Sequence, residues 1–238
     1  MRRFYKETAV DRVEDGHRVL LDGKPMRTPA KAVLVVPTRG LAEAIASEWG
    51  DVPEKAEIGV SHLPLTRLAA TGLDRVTPQR GQVIADTAKY AESDLLCYRA
   101  TDPPSLVERQ RALWQPLVDW SATRYGAPLV VVDGMSFVTQ PAASVAHLRA
   151  AVAAHSDLAL SALYNLTHIA GSLVIALAVA EGRLTAEQAF DAAQLDELYQ
   201  IERWGEDPIA AERHAGIRRD LAAGARFLAY LEDQRLKG

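Results

Sequence analysis

The chain has 238 residues, of which 48% are hydrophobic and 24% are charged, and this composition is that of a globular protein. Such a composition excludes an intrinsically disordered chain, a collagen-like chain and a small scaffold built on disulfides. The formal net charge of −4 argues against general nucleic-acid binding, which requires a basic face. The length favours two compact domains over one.

The first forty residues predict a small antiparallel sheet. Short β-type stretches alternate with turn signals, and the Asp22-Gly23 pair between two of these stretches is a strong hairpin cue. Thr38 is placed to cap a helix over residues 41–49, and Trp49 closes the apolar face of that helix. We therefore predict an amino-terminal domain at residues 1–75, in which the helix covers the sheet and Trp49 lies in the core.

Residues 76–238 follow a mostly helical pattern and are predicted to form a second domain, a helical bundle. Residues 129–132 are an exception and could form a short strand or an extended segment. The run from Ile169 to Ala180 is nearly all apolar, which is typical of a helix buried at the centre of a bundle. We predict that this run belongs to one long helix that begins near residue 156.

Four polar or reactive residues of the second domain are given structural roles. Thr185 is placed to cap one helix, and Asp207 followed by proline has the order expected at the start of the last helix. Cys97, the single cysteine, lies among apolar residues and is predicted to be a buried, unreactive thiol. Asp94 is predicted to cap a helix or to pair with an arginine.

The sequence carries none of the short motifs that mark common catalytic or nucleotide-binding sites. Walker-type, dinucleotide-binding, zinc-protease and nucleophile-elbow motifs are all absent. No two of the six histidines lie three or four positions apart, so no helical metal site is expected. No apolar run reaches the roughly 20 residues that cross a bilayer. We therefore expect no cofactor, no metal and no membrane insertion.

An acidic segment, residues 181–212, is the strongest charged feature of the chain. It holds nine acidic residues and two arginines, with the aromatic residues Tyr199 and Trp204 among them. Acids at a helix start satisfy free N–H groups and suit the helix dipole, which gives Glu206 and Asp207 a structural explanation. That explanation does not extend to Asp196, Glu197 and Glu202.

Asp196, Glu197 and Glu202 are placed by the sequence near the carboxyl end of a helix, where their charge opposes the dipole at a small cost. Two functional interpretations of the segment stay open. One is a binding surface of carboxylates around an aromatic anchor, and the other is a carboxylate-dependent enzyme of unknown substrate, built in the helical bundle. A deep pocket with two acids of shifted pKa would favour the enzyme, whereas an exposed groove would favour binding.

Residues 1–40 are basic, with nine Lys or Arg and five acidic residues. The structural interpretation is a solvated face of the sheet. The functional interpretation is a nucleic-acid module, whose binding would fall steeply with salt. The acidic remainder of the chain argues against nucleic acid as a partner.

Seven motifs of the sequence resemble, in order and spacing, the ATP12 family of ATP synthase assembly chaperones. The motifs lie at residues 3–6, 21–29, 41–49, 64–68, 90–99, 171–173 and 204–207. Each motif alone is weak, whereas seven in order over residues 3–210 are specific.

The resemblance implies an α+β fold, with a small amino-terminal α/β sandwich on an antiparallel sheet and a carboxy-terminal orthogonal all-α helical bundle. It implies binding of the unassembled alpha subunit of the F-type ATP synthase catalytic head, which is shielded until it meets the beta subunit, and no catalysis. A bacterial cytoplasmic location is expected, because the first motif begins at residue 3 and leaves no room for a transit peptide. A monomer is expected, because a chaperone should not cover its own binding face.

The acidic segment is the part of the chain that we expect to contact the client. The expected contact residues are Glu197, Glu202, Trp204, Glu206 and Asp207. Trp204 is expected to act as the aromatic anchor, and the four carboxylates are expected to steer the encounter.

Overall fold

The computed structural model describes residues 3–53, 63–134, 136–205 and 207–232, and the chain divides into two compact units. Unit 1 comprises Met1–Arg80, Ser156–Ala162 and Arg226–Gly238, and unit 2 comprises Gly81–His155 and Leu163–Ala225. The α+β fold class is confirmed, since a small antiparallel sheet precedes a helical region. The domain boundary between residues 75 and 76 stays a prediction.

Unit 1 begins with a four-stranded antiparallel sheet, as the turn signals predicted. Strands β1 and β2 form a hairpin, and the short strands β3 and β4 both pair with β2. Gly16 begins β2 with φ +141°, and a Cβ there would lie 2.4 Å from the carbonyl oxygen of Val36, so only glycine fits. The strands are β1 (Thr8–Val13), β2 (Gly16–Leu21), β3 (Lys24–Pro25) and β4 (Val35–Val36).

Helix α1 (Arg39–Gly50) packs on the sheet and begins where the sequence predicted. The Oγ1 of Thr38 accepts a hydrogen bond from the N–H of Leu41 at 3.1 Å, which satisfies one of the free donors of the first turn. The predicted apolar face is confirmed as buried. Its residues are Leu41, Ala42, Ile45, Ala46 and Trp49.

Helix α2 (Pro64–Thr71) continues directly into a π-helical turn at Gly72–Val76 and a 3₁₀ turn at Thr77–Gln79. Gly72 lies against Leu158, since a Cβ on Gly72 would come within 2.6 Å of the Leu158 Cδ2 atom. The close approach of these two backbones explains a glycine in the middle of a helical run.

Unit 2 is mostly helical, with one exception. Strands β5 (Tyr98–Arg99) and β6 (Val132–Asp133) form a two-residue parallel pair, so the apolar stretch at 129–132 is extended and ends in a short strand. The remaining helices of the chain are α3 (Arg80–Ala88), α4 (Pro104–Tyr125), α5 (Ala142–Ala153), α6 (Asp157–Ala170), α7 (Leu173–Ala180), α8 (Ala186–Ala193), α9 (Leu195–Trp204) and α10 (Pro208–Glu232). None of the helices within the described residues is long and apolar enough to span a membrane.

The prediction of one long helix to residue 180 is wrong, because the chain turns between α6 and α7. Gly171 adopts φ +64°, and Ser172 caps α7 by accepting a hydrogen bond from the N–H of Ile175 at 3.0 Å. The carboxylate of Asp94 accepts a second one from the N–H of Val174 at 3.1 Å. The expectation of burial is confirmed, since every residue of α7 is buried.

The other local predictions for unit 2 are confirmed. Thr185 caps α8 in a capping box with Gln188, and Asp207 accepts hydrogen bonds from the first N–H groups of α10. Asp94 acts as a cap, since its carboxylate oxygens accept hydrogen bonds from main-chain N–H groups. Cys97 is free and buried, and burial raises the pKa of its thiol to about 12, so the thiol stays protonated and unreactive.

Candidate functional site

The acidic segment contains a junction between two helices that the sequence did not reveal. Helix α8 ends at Ala193 and α9 begins at Leu195, with Gln194 as the only residue between them. Asp196 and Glu197 therefore lie in the first turn of α9, where negative charge suits the dipole. Their placement near the carboxyl end of a helix was wrong, because the junction contains neither glycine nor proline to mark it.

Glu197 connects α9 to α10. Its carboxylate forms an ion pair with Arg213 and lies 3.5 Å from the Nε2 atom of His214. The hydrogen bond from Arg213 is the main cause that lowers the pKa of the Glu197 carboxyl. This charge is therefore already engaged inside unit 2, and its predicted contact with the client stays a prediction.

Glu202 lies in the last turn of α9, and its carboxylate forms an ion pair with Arg109 of α4 at 2.7 Å. Both side chains are about half exposed, at 55% and 49%, so this pair is worth at most about 1 kcal/mol to stability. In the first turn of α9, Asp196 accepts a hydrogen bond from Gln110, the residue that follows Arg109 on α4, at 2.7 Å. Polar contacts thus link α4 and α9 while leaving Glu202 accessible.

The side chain of Tyr199 is buried and contacts charged groups at the end of α9. Its hydroxyl forms a 2.5 Å hydrogen bond with the Ser105 Oγ atom, and Ser105 also accepts one from Arg203 at 3.2 Å. The guanidinium carbons of Arg109 and Arg203 lie 5.2 and 4.5 Å from the centre of the Tyr199 ring, within cation–π range. The end of α9 is therefore held in one position before any partner binds.

Two large apolar side chains flank the turn that follows. Trp204 is 78% exposed at the end of α9, and Ile209 is 82% exposed in the first turn of α10. Gly205 between them has φ +87°, a conformation that other residues rarely adopt. We name the exposed set Glu202, Trp204, Asp207 and Ile209 the acidic turn.

Asp207 has a structural task in the acidic turn. Its Oδ1 atom accepts hydrogen bonds from the N–H groups of Ile209 and Ala210 at 2.8 and 2.9 Å, as the structural interpretation expected. The side chain is nevertheless exposed, and both of these hydrogen bonds use the same one of its two oxygens. Glu206, also predicted as a contact, lies outside the described residues.

Two carboxyl groups in the described part of the chain have a pKa that burial raises, and both act as helix caps. Glu48 accepts hydrogen bonds from the N–H groups of Leu65 and Thr66 at the start of α2. Asp94 serves a 3₁₀ turn and the start of α7. Both carboxylates therefore hold main-chain N–H groups at the starts of helical segments.

Unit 1 contains a groove with a volume of about 610 Å³ that was not predicted from the sequence. We name it the basic groove, because its lining includes three arginines and a single aspartate. The lining residues are Arg27, Thr28, Pro29, Leu34, Trp49, Leu63, Thr66, Arg67, Ala70, Thr71, Asp74 and Arg75. They come from separate stretches of the chain, and the signal that could have found them is that three of the seven motifs, residues 21–29, 41–49 and 64–68, contribute to the lining.

The walls of the basic groove are fixed by internal hydrogen bonds. Asp74 accepts one from the hydroxyl of Thr28 at 2.7 Å and another from the N–H of Ala30 at 2.9 Å. Near the start of α2, the indole N–H of Trp49 donates a hydrogen bond to the Oγ1 atom of Thr66 at 3.0 Å. Within the described residues, no group of three His, Cys, Asp or Glu side chains could hold a metal ion.

Comparisons with known proteins agree on one class, the assembly chaperones. The family model for the ATP12 chaperone protein matches residues 2–122. The crystal structure of Atp12 from Paracoccus denitrificans is 40% identical, covers 97% of this chain and 98% of its own, and superimposes with a TM-score of 0.89. A candidate chaperone from Agrobacterium tumefaciens is also 40% identical, with a TM-score of 0.91 over 97% of this chain and 86% of its own.

A eukaryotic relative extends the same relationship. The mitochondrial atp12 protein of Schizosaccharomyces pombe is 24% identical over 98% of this chain and 84% of its own length. The chain therefore belongs to the ATP12 chaperone family, as its motifs indicated. Its role is that of a chaperone in ATP synthase assembly.

Proposed function

We propose that this chain binds the unassembled alpha subunit of the F-type ATP synthase and shields it until the beta subunit arrives. The proposal extends membership of the ATP12 chaperone family to one client and to a mode of action without covalent chemistry. The observation that carries it is the exposed Trp204 among carboxylates that are held in place by α4 and α10. Such a surface suits binding of a protein and offers no enclosed site for a reaction.

The physical task of such a chaperone is to cover a surface that is later buried in a ring. A free subunit exposes apolar and charged interface, and exposed apolar surface drives aggregation. Charged groups speed the encounter and fix its orientation, while a small apolar anchor supplies part of the affinity. An interface of this kind can be released by competition when the proper partner binds.

The proposed client surface consists of the acidic turn together with Glu197 and Glu206. Glu202 and Asp207 supply exposed negative charge. Trp204 and Ile209 supply exposed apolar surface, which is unfavourable in water and is therefore suited to burial by a partner. The complementary client surface would be basic around an apolar pocket. We further propose that the chain acts as a monomer in the bacterial cytoplasm, in line with its two bacterial relatives of known structure.

Co-purification tests the proposed client. The tagged chain is co-expressed with the alpha subunit alone or with the beta subunit alone, and the eluate is analysed for each subunit. We expect recovery of alpha at about one copy per chain, with beta only at background. Equal recovery of both subunits, or of neither, would contradict the proposal.

Substitutions in the acidic turn test the proposed surface. Glu202→Lys should reduce recovery of alpha at least tenfold with little change in melting temperature, because it removes only an exposed ion pair. The double variant Glu202→Lys with Arg109→Glu restores an ion pair and should still fail to capture alpha, which separates surface charge from folding.

Trp204→Ala should weaken capture, whereas Phe137→Ala, an equally exposed aromatic elsewhere in unit 2, should not. Full capture by both Glu202→Lys and Trp204→Ala would place the client surface elsewhere.

A further inference from the structure

We infer that Tyr199 is a positioning residue for client binding, because it holds Glu202 and Trp204 in the arrangement that the acidic turn presents. The inference rests on the proposed function in one respect, since it takes the acidic turn as the client surface. Tyr199 is itself only 4% exposed, so it acts through its neighbours on α4 and α9 rather than by touching the client.

Tyr199 is the last buried residue of α9. The three residues that end the helix, Glu202, Arg203 and Trp204, are all exposed, and Gly205 follows them with φ +87°. An exposed helix end that lacks a buried anchor frays readily. The position of the acidic turn therefore depends on what holds Tyr199.

The hydroxyl of Tyr199 connects α9 to the first turn of α4. It forms a 2.5 Å hydrogen bond with the Oγ atom of Ser105, and the same Oγ atom accepts a hydrogen bond from Arg203 at 3.2 Å. Arg203 is thereby held from α4, and Trp204 is the next residue of the chain. Because the two residues share a peptide bond, fixing Arg203 limits the positions that Trp204 can adopt.

The ring of Tyr199 acts on Glu202 through an arginine. The guanidinium carbons of Arg109 and Arg203 lie 5.2 and 4.5 Å from the ring centre, within cation–π range. Arg109 is also the ion-pair partner of Glu202. An exposed ion pair is weak partly because two long side chains must be ordered to form it. A ring that already orders Arg109 lowers that cost and fixes the Glu202 carboxylate.

A surface that is ordered before binding loses less conformational entropy when a partner binds. Removal of the Tyr199 hydroxyl should therefore weaken client binding, although every group of the acidic turn is kept. Tyr5 supplies the matched control, since it is also 4% exposed and its hydroxyl donates a hydrogen bond of 2.6 Å in unit 1.

Hydrogen exchange of the free chain tests the positioning without any client. Tyr199→Phe should raise the exchange rate of the main-chain amides of residues 202–205 about fivefold, because the end of α9 opens more often. Tyr5→Phe should leave the exchange of the same residues unchanged. Equal exchange of this segment in the wild-type chain and in Tyr199→Phe would overturn the inference.

Co-purification of the alpha subunit tests the consequence for binding. Tyr199→Phe should reduce the recovery of alpha about fivefold, whereas Tyr5→Phe should leave the recovery unchanged. Each substitution deletes one buried hydrogen bond, so each should lower the melting temperature by about 2–4 °C. An equal loss of alpha with both variants would assign the effect to general stability and overturn the inference.

A double-mutant cycle tests the hydrogen bond between the two hydroxyl groups. Ser105→Ala should reduce the recovery of alpha at least as much as Tyr199→Phe does. The double variant should lose no more than Ser105→Ala alone, because both substitutions remove the same bond. Losses that simply add would contradict a shared bond.

The outcomes distinguish this inference from the proposed function. Loss of capture in Trp204→Ala with full capture in Tyr199→Phe would overturn the positioning role and leave the client surface standing. A wild-type chain that captures no alpha would contradict the proposed function. The exchange of the free chain would in that case still show whether Tyr199 holds the acidic turn.

Discussion

At the scale of single residues, the acids of the acidic segment differ in how much of their charge is used within the chain. Glu197 is engaged by Arg213, and Asp207 caps α10 with one oxygen. Glu202 has one exposed arginine partner on α4. The sequence shows these three carboxylates as equivalent, and the partners that distinguish them come from α4 and α10, which sequence spacing does not reveal.

The ion pair of Glu197 predicts a pH-dependent contribution to stability. Because Arg213 lowers the pKa of the folded carboxyl below its usual 4.5, the stabilisation is present above about pH 4.5 and is lost as the pH falls through the folded pKa. Glu197→Gln should therefore lower the free energy of unfolding by up to about 1 kcal/mol at pH 7, and by less at pH 3.5. Urea unfolding at both pH values measures the difference.

A chain that lacks the Arg213 partner serves as the control for other effects of the Glu197 substitution. In a chain that already carries Arg213→Gln, Glu197→Gln should lose most of its effect at pH 7. A pH-independent difference between wild type and Glu197→Gln would show that the lost stability comes from something other than this ion pair.

Trp49 allows a sharper prediction at the residue scale. The side chain is 8% exposed, and its indole N–H donates a hydrogen bond to Thr66. The main-chain carbonyl oxygen of Trp49 accepts a hydrogen bond of 2.6 Å from the hydroxyl of Tyr5. Trp49→Arg buries an unpaired charge and should cost about 4 kcal/mol or more, which unfolds unit 1. Thermal unfolding followed by circular dichroism measures the loss. The matched control, Trp204→Arg, changes an exposed tryptophan and should shift stability by less than about 0.5 kcal/mol.

At the scale of elements, the turn between α6 and α7 depends on one glycine. Gly171 has φ +64°, and no atom lies within 4 Å of a Cβ built there, so alanine would be strained by the backbone alone. Gly171→Ala should lower the free energy of unfolding by about 1–2 kcal/mol, and Gly171→Asn by less, because asparagine tolerates the left-handed region. Urea denaturation compares the three chains.

The control for this prediction is another glycine with open space around it. Gly81 lies within α3, where its backbone is helical, and nothing lies within 4 Å of its Cβ position. Gly81→Ala should therefore stabilise the chain by about 0.5 kcal/mol. A stabilising effect of alanine at Gly171 as well would contradict the assignment of strain to the turn.

Elements with a local signal were predictable from the sequence, and elements set by distant contacts were not. Thr38 and Thr185 form their caps with residues three positions away, so their helices begin where the sequence predicts. The break at Gly171 was hidden because apolar residues continue through it, and the Asp94 that fixes it lies some eighty positions earlier. The basic groove was hidden for the same reason, since the stretch that follows β3, the end of α1 and the region of α2 come together only in the folded chain.

At the scale of the whole molecule, the net charge of −4 conceals two surfaces of opposite sign. The acidic turn carries exposed carboxylates and the exposed Trp204, and the basic groove is lined by three arginines and one aspartate. The proposed client surface combines charge with a small apolar anchor, and such a surface can recognise a partner by its charge pattern and still release it. The chain as a whole therefore suits transient binding in ATP synthase assembly.

The most direct measurement is the aggregation of the lone alpha subunit, followed by light scattering after dilution from denaturant. An equimolar amount of this chain should suppress the scattering of alpha and leave that of the beta subunit unchanged. Adding folded beta to the preformed complex should release the chain, as seen by size-exclusion chromatography. Unchanged scattering of alpha, or a complex that beta does not dissociate, would contradict the account.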